Sequence, residues 1–229
     1  MKDSLMKDSL MKDGLLIFDM DNTLLHSHID FARMKQDVGL LLQEEHLSLI
    51  GGRSVSDNLS SLFESGALSA GLNERIWQRI SEIEEEGLAR AVLEPGIEQV
   101  LPRLAERFYL AVLSNNMDAA VHQCLTDLQV APYFSLICGR EKAPVLKPRP
   151  EGVRYVVSRF PQAPPQRAWM IGDALIDALA AFRAGIGFIA YNRSRYENWW
   201  RLNRQPQLFL YAWDEKAIGE ILRVTAKGE

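Results

Sequence analysis

Four short apolar runs constrain this chain more than any other feature of its sequence. Leu15-Leu16-Ile17-Phe18 ends at Asp19, Tyr109 to Leu113 ends at Ser114-Asn115, Ala168 to Ile171 ends at Gly172-Asp173, and Phe188-Ile189-Ala190 follows Gly185 and Gly187. Each run is continuous rather than alternating, the pattern of strands covered on both faces. Between them, apolar residues at helical spacing predict helices over Ile97 to Arg107, Asp118 to Gln129, Glu151 to Arg159 and Leu175 to Ala184. Strands and helices in alternation predict a doubly wound parallel sheet, a Rossmann-like α/β core.

One stretch breaks the alternation. From Phe31 to Arg90 no run reads as a strand; Phe31 to Leu49, Val55 to Phe63 and Ile76 to Leu88 carry helical spacing, with Gly51-Gly52 and Gly71 as breaks. The chain is therefore expected to form a core from residues 14–26 plus 91–229, with an α-helical cap inserted over 27–90, a division that suits its 229 residues. Residues 1–13 hold a repeat, Met1-Lys2-Asp3-Ser4-Leu5 followed by an identical Met6 to Leu10 and by Met11-Lys12-Asp13. A period of five fits neither helix nor strand, so this segment is expected to be disordered and outside the fold.

Charge and cysteine content exclude several classes. Lys plus Arg number 26 against 30 Asp plus Glu, a net charge of -4, which argues against nucleic-acid binding by bulk charge. Small anions remain open as ligands because they respond to local fields. Cys124 and Cys138 form no CxxC or metal-type cluster and read as small buried hydrophobes in a reducing compartment. No apolar run approaches the ~18 residues of a membrane span. Lys and Asp recur before any signal-peptide core can form, so a cytoplasmic location is expected.

In a doubly wound sheet, ligands bind beyond the carboxyl ends of the strands. Asp19 and Asp21, Ser114 and Asn115, and Asp173 and Asp177 follow three of the runs, and Lys147 stands just before Pro148 and Pro150 at a helix start. Several carboxylates on one rim repel one another, and a hard divalent cation such as Mg²⁺ relieves that strain while keeping positions open for phosphate oxygens. Lys147 would offset phosphoryl charge and Ser114 would donate a hydrogen bond to it. A carboxylate in such a setting can attack phosphorus and form an acyl phosphate.

These segments resemble a known family. Asp19-Met20-Asp21-Asn22-Thr23-Leu24, Ser114-Asn115, Lys147-Pro148-Arg149-Pro150 and Gly172-Asp173-Ala174-Leu175-Ile176-Asp177 are similar, in order, to the four motifs of the haloacid-dehalogenase-like (HAD) hydrolase superfamily, and the helical insert resembles its first-type cap. The resemblance, phosphoglycolate phosphatase-like in style, covers about residues 14 to 192. It implies that Asp19 is the nucleophile and a Mg²⁺ ligand. It implies that Asp21 is the general acid and base, with its backbone carbonyl on the metal, and that Asp173 is the remaining protein ligand. Ser114 and Lys147, with Asn115 beside them, are implied to hold the phosphate, and Asp177 to orient Lys147 or a metal-bound water. Asp21 favours a phosphate ester, because family members that cleave carbon–halogen or carbon–phosphorus bonds lack this second Asp. Two departures stand out: Asn22 where Gly is commonest, and Ala174 where a hydroxyl residue is frequent.

The expected activity is a Mg²⁺-dependent phosphatase acting on a small phosphorylated metabolite. A phosphosugar mutase carries the same motifs and cap, and the sequence leaves it standing as an alternative. A non-enzymatic phospho-receiver would carry an adjacent acidic pair and no lid, which argues against it. Arg53, in Ile50-Gly51-Gly52-Arg53-Ser54 between two predicted cap helices, is a candidate for binding an acidic group of the substrate. His26 and His28 fall at the hinge into the cap. In the tail, Tyr196, Trp199, Trp200, Phe209, Tyr211 and Trp213 interleave with Arg193, Arg195, Arg201 and Arg204. Such a mixture can stack on single-stranded nucleic acid. The acidic balance elsewhere favours rings that cover the sheet edge or join two copies as a homodimer.

Overall fold

The computed structural model describes residues 12–52, 54–143, 145–192 and 204–226, with Asp57 placed by its backbone alone. The first apolar run becomes β1 (Gly14–Phe18), whose five residues are all buried. It lies between β4 (Phe108–Leu113) and β6 (Ala168–Gly172), parallel to both. With β5 (Leu136–Cys138), β7 (Gly187–Tyr191) and β8 (Leu208–Leu210) these strands form one six-stranded parallel sheet in the order β5-β4-β1-β6-β7-β8.

Successive side chains of β1 point to opposite layers, as the pleat requires. Leu16 and Phe18 join Ile97, Val100, Leu101 and Leu104 of α4 (Ile97–Arg107), Val121 and Leu125 of α5 (Asp118–Asp127), and Ile218 and Ile221 of α8 (Glu215–Thr225). Leu15 and Ile17 join Val153 and Val156 of α6 (Glu151–Ser158) and Ala178 and Ala181 of α7 (Leu175–Ala184). Helices on both faces leave the central strands without a solvent face, and this is the physical reason for their unbroken apolar runs. The fold is the α/β Rossmann-like one that the sequence predicts.

The insert leaves the core through β2 (Leu25–His26) and returns through β3 (Val92–Leu93), which pair antiparallel. Between them lie α1 (Phe31–Gln43), α2 (Val55–Glu64) and α3 (Ala70–Leu88). Two helix ends differ from the sequence reading, each for a local reason. α1 stops at Gln43 instead of Leu49, because His46 adopts φ 59 and the Leu47 amide returns to the Leu42 carbonyl at 2.9 Å, a left-handed helix stop. α3 starts before Gly71, because the Ser69 side chain caps the Leu72 amide at 3.2 Å. The short strands β2, β3, β5 and β8 carry no legible period. Buried Met34, Val38, Leu72, Ile76, Ile80 and Ile83 of the cap belong to the same apolar cluster as Phe18 and Leu24 of the core.

Of the tail's aromatic group, Tyr196, Trp199 and Trp200 lie outside the described residues, as do Arg193, Arg195, Arg201 and the repeat up to residue 11. Lys12 donates to the Ala105 carbonyl, and Asp13 pairs with Arg107 at 2.5 Å. Phe209 sits in the edge strand β8, while Tyr211 is exposed. Trp213 is buried: it stacks on Tyr191 with centroids 4.9 Å apart, meets Phe18 at 5.9 Å, and donates its Nε1 hydrogen to the Thr23 carbonyl at 2.8 Å. Cys124 and Cys138 are free and buried, and burial pushes both thiols up to about 11, consistent with packing roles. Among the described residues no helix is long and apolar enough to cross a membrane. Trp213→Ala is expected to lower stability by ~3–5 kcal/mol, the scale for truncating a buried aromatic, and urea unfolding followed by far-UV circular dichroism measures it.

Candidate active site

The three central strands end on one rim. Asp19 leaves β1, and its amide is tied to the Ile171 carbonyl of β6 at 2.8 Å. Ser114 leaves β4, its amide tied to the Cys138 carbonyl of β5 at 3.0 Å. Asp173 follows β6. Oxygen atoms of Asp19, Asp173 and Asp177 all lie within 4.8 Å of one another, and all three residues are buried. Lys147 reaches into this group, its Nζ 2.5 Å from Asp19 Oδ1 and 2.8 Å from Asp177 Oδ1. Burial opposes the Lys147 charge, but Asp177 and Asp19 outweigh it and hold the ammonium above its ordinary range. Burial and the Asp19 charge push Asp177 upward, against the pull of Lys147.

Local backbone chemistry explains the placement of each group. The Asn115 side chain accepts from the Lys147 amide at 2.9 Å and donates to the Lys147 carbonyl at 3.0 Å, gripping that peptide from both sides. The side-chain amide of Asn115 therefore aims Lys147, and it is already engaged with protein rather than open to phosphate. Asp177, in the first turn of α7, accepts from the Ala174 amide at 3.0 Å through Oδ2. A Cβ at Gly172 would lie 2.5 Å from that oxygen, so the close approach needs glycine. Ala174 serves through its backbone, which is why the missing hydroxyl leaves the helix start intact. Asn22 has φ 57, a left-handed conformation that Asn accepts, and its amide donates to the Leu25 carbonyl at 2.6 Å. Lys142, the other lysine near the third motif, pairs with Asp118 at 3.0 Å and stands apart from the acids.

Asp21 occupies a different environment. Its Oδ2 accepts from Asn116 Nδ2 at 2.6 Å. Burial, then the Asp19 charge, lift its pKa to about 6, against the opposing pull of Ser27, Asn116 and Lys147. Asp19 thus faces a cation, whereas Asp21 faces a neutral amide.

A cavity of about 420 Å³ opens above these residues. Asp19, Asp21, Asn115, Lys147, Asp173 and Asp177 line its floor, and Phe31, Met34, Lys35, Trp77, Ile80 and Glu84 of the cap helices form its roof. Ser54 lines it too, beside Arg53, which lies outside the described residues. Ser114 is buried at the β4 end with its Oγ accepting from the Asn116 amide at 3.1 Å. His26 and His28 are exposed at the hinge with rings 4.4 Å apart and do not line the cavity.

Sequence reasoning missed Asn116, Glu84 and Arg140. Arg140 Nη1 binds both Glu84 oxygens, at 2.9 and 3.0 Å, joining α3 to the loop after β5. Burial lifts Glu84 to about 7, against the pull of Arg140 and the Met117 amide. A signal was present: Glu84 falls four residues after Ile80 on the buried stripe of α3, where an acid needs a partner.

Comparison with known proteins identifies the family. Residues 16–191 match the family model described as haloacid dehalogenase-like hydrolase, and the chain belongs to that family. It is 31% identical over 191 residues to the phosphoglycolate phosphatase of Rhodobacter capsulatus, covering 77% of this chain and 83% of that one. It is 24% identical over 198 residues to the phosphoglycolate phosphatase of Pseudomonas fluorescens (strain Pf0-1), covering 79% and 71%. A HAD-superfamily hydrolase of Geobacter sulfurreducens superposes with a TM-score of 0.59 at 20% identity, covering 91% of this chain and 96% of that one. A HAD hydrolase of Bacillus subtilis, solved bound to magnesium, superposes at 0.62 and 22%, covering 92% and 99%.

Lys147→Met leaves Asp19 and Asp177 buried without their cation. It is expected to cost ~3–5 kcal/mol, as for breaking a buried ion pair. Protonation relieves the repulsion, so the loss is expected to be larger at pH 8 than at pH 5. Urea titrations in chelator at the two pH values measure both effects.

Proposed function

We propose that this protein is a Mg²⁺-dependent phosphatase that hydrolyses a small phosphomonoester through a phosphoryl-aspartate on Asp19. The observation that carries the reading is the buried Lys147 ammonium held between Asp19 and Asp177, beside Asp173, at the floor of a capped cavity. Phosphatase relatives and the acid-lined strand ends support it.

The donor set fits a magnesium ion. Three buried carboxylates against one lysine leave excess negative charge, and hard oxygen donors suit this cation. Asp19 and Asp173 would hold it, with the Asp21 backbone carbonyl as a further ligand. Bound there, the ion would neutralise phosphate oxygens and polarise the phosphorus.

The residues divide the remaining work. An Asp19 carboxylate oxygen attacks phosphorus as the ester P–O bond breaks. Asp21, lifted to about 6 and so able to carry a proton near neutrality, gives that proton to the departing oxygen. Lys147 and the Ser114 hydroxyl hold phosphoryl oxygens, while Asn115 and Asp177 hold Lys147. Asp21 then takes a proton from water, whose oxygen attacks the same phosphorus, releasing inorganic phosphate and restoring Asp19. The cap roof of Phe31, Met34, Trp77 and Ile80 shields the phosphoryl-aspartate and faces the carbon part of the substrate. Arg53, next to Ser54, would meet an acidic group there.

Asp19→Asn is near-isosteric yet a far weaker nucleophile. It is expected to lower kcat on p-nitrophenyl phosphate by ~10³-fold or more, the scale for loss of an essential group. Excess chelator is expected to silence the wild type and added Mg²⁺ to restore it. Full turnover in either condition would overturn the mechanism.

A further inference from the structure

We propose that Asn116 is the positioning residue for Asp21, and that the cap fixes Asn116 through Glu84 and Arg140, so that seating the cap sets the proton donor. The proposal rests on the reading of Asp21 as the acid.

Asn116 is buried, and its Nδ2 donates to Asp21 Oδ2 at 2.6 Å. With Oδ2 held by Asn116, Oδ1 carries no hydrogen bond of its own among the described residues. An asparagine amide can orient a carboxyl group without competing for its proton, as a lysine or histidine in that position would. The backbone of Asn116 is fixed at both ends. Its amide donates to Ser114 Oγ at 3.1 Å, and its carbonyl accepts from the Arg140 amide at 2.8 Å. A Cβ at Gly139 would lie 2.9 Å from the same carbonyl, so the two loops touch backbone to backbone.

The cap closes this arrangement. The amide of Met117, the next residue, donates to Glu84 Oε2 at 2.9 Å, and Glu84 belongs to α3. Arg140 then ties both sides together. Its Nη1 binds the two Glu84 oxygens and the Asn115 carbonyl at 3.3 Å. Its Nη2 binds Ser81 Oγ at 2.9 Å, and its guanidinium lies 4.5 Å over the Trp77 ring. Ser81 and Trp77 are also on α3. A cap that lifts away strips the Met117 amide of its acceptor and takes Glu84, Ser81 and Trp77 from Arg140. A buried Glu–Arg pair is costly to form and adds little net stability, but its hydrogen-bonded geometry fixes the orientation in which the cap sits.

The leaving group supplies the test. Phenyl phosphates of rising phenol pKa, from p-nitrophenyl to unsubstituted phenyl phosphate, differ in their need for a proton and little in shape. kcat/KM for the series is measured with Mg²⁺ in wild type, Asp21→Asn, Asn116→Ala and Glu84→Gln, with circular dichroism as the check on folding. Asp21→Asn is expected to steepen the dependence on leaving-group pKa. Asn116→Ala is expected to lose ~10–100-fold on phenyl phosphate and under ~3-fold on p-nitrophenyl phosphate, since general acid catalysis is worth about 10²–10⁴-fold. Glu84→Gln keeps the side-chain shape, leaves the core motifs untouched, and is expected to shift the slope the same way by a smaller factor. Equal losses across the series in Asn116→Ala and Glu84→Gln, with a steep slope in Asp21→Asn, would overturn this proposal and make both residues scaffolding. A flat response in Asp21→Asn as well would instead overturn the assignment of Asp21.

Discussion

One lysine ammonium among buried carboxylates organises this molecule. Two like charges ~4 Å apart repel by ~4 kcal/mol at the effective dielectric near a protein surface, and burial makes this worse. Lys147, at 2.5 Å from Asp19 and 2.8 Å from Asp177, offsets that repulsion and lets acids from two different strand ends share one rim. The scaffold then serves the lysine. Asn115, from the end of β4, grips its peptide on both sides, and Gly172, from the end of β6, admits Asp177. Because β1 lies between β4 and β6, all of these groups meet above one central strand, at the side of the sheet where crossover helices leave room for a ligand.

The cap is attached by two different kinds of interaction. Apolar packing makes it continuous with the core, through Met34, Ile76, Ile80 and Ile83. Along the same buried stripe of α3 it is also held by directional, charged contacts from Glu84 to Arg140 and to the Met117 amide. Hydrophobic burial is non-directional and tolerates sliding, whereas a hydrogen-bonded Arg–carboxylate pair fixes orientation. The roof can therefore be stable while its closed position stays sharply defined. Trp213 performs a comparable service below the rim, bracing the loop after β1 through the Thr23 carbonyl, even though it lies far along the chain in the tail.

What the sequence revealed follows from the range of each interaction. β1, β4, β6 and β7 were legible because a strand buried on both faces must be apolar throughout, and the helices α4 to α7 because their periods are long. The acids of the rim were legible because they sit directly at the ends of those strands. Short strands such as β5 and β8 have too few residues to show a period. The stop of α1 depends on one left-handed residue, His46, which composition does not announce. Arg140 and Asn116 were invisible for a different reason: their meaning lies in partners 56 and 95 residues away. The tail's aromatic group was expected to cover the sheet edge or join two copies; Trp213 packs on Tyr191 and is buried, since an aromatic with a polar edge can enter the core where a carbonyl awaits its N–H.

The two aspartates of the first motif stand in two different environments, a difference on which the proposed mechanism rests. Asp19 and Asp21 are two positions apart, share the same buried rim, and would behave alike if burial were the whole story. Their partners differ. Asp19 lies against the Lys147 ammonium, which donates to its Oδ1 at 2.5 Å. Asp21 lies against the Asn116 amide, and burial and the neighbouring Asp19 charge push it up to about 6, an effect that Ser27, Asn116 and Lys147 offset only in part. The proposed mechanism uses this difference in surroundings, giving attack to the residue beside the ammonium and proton transfer to the residue beside the amide. The division is robust because each partner is itself fixed from outside the motif: Lys147 by Asn115, and Asn116 by a cap helix. Neither environment is encoded in the motif alone; each belongs to the motif together with the loop that meets it across the sheet.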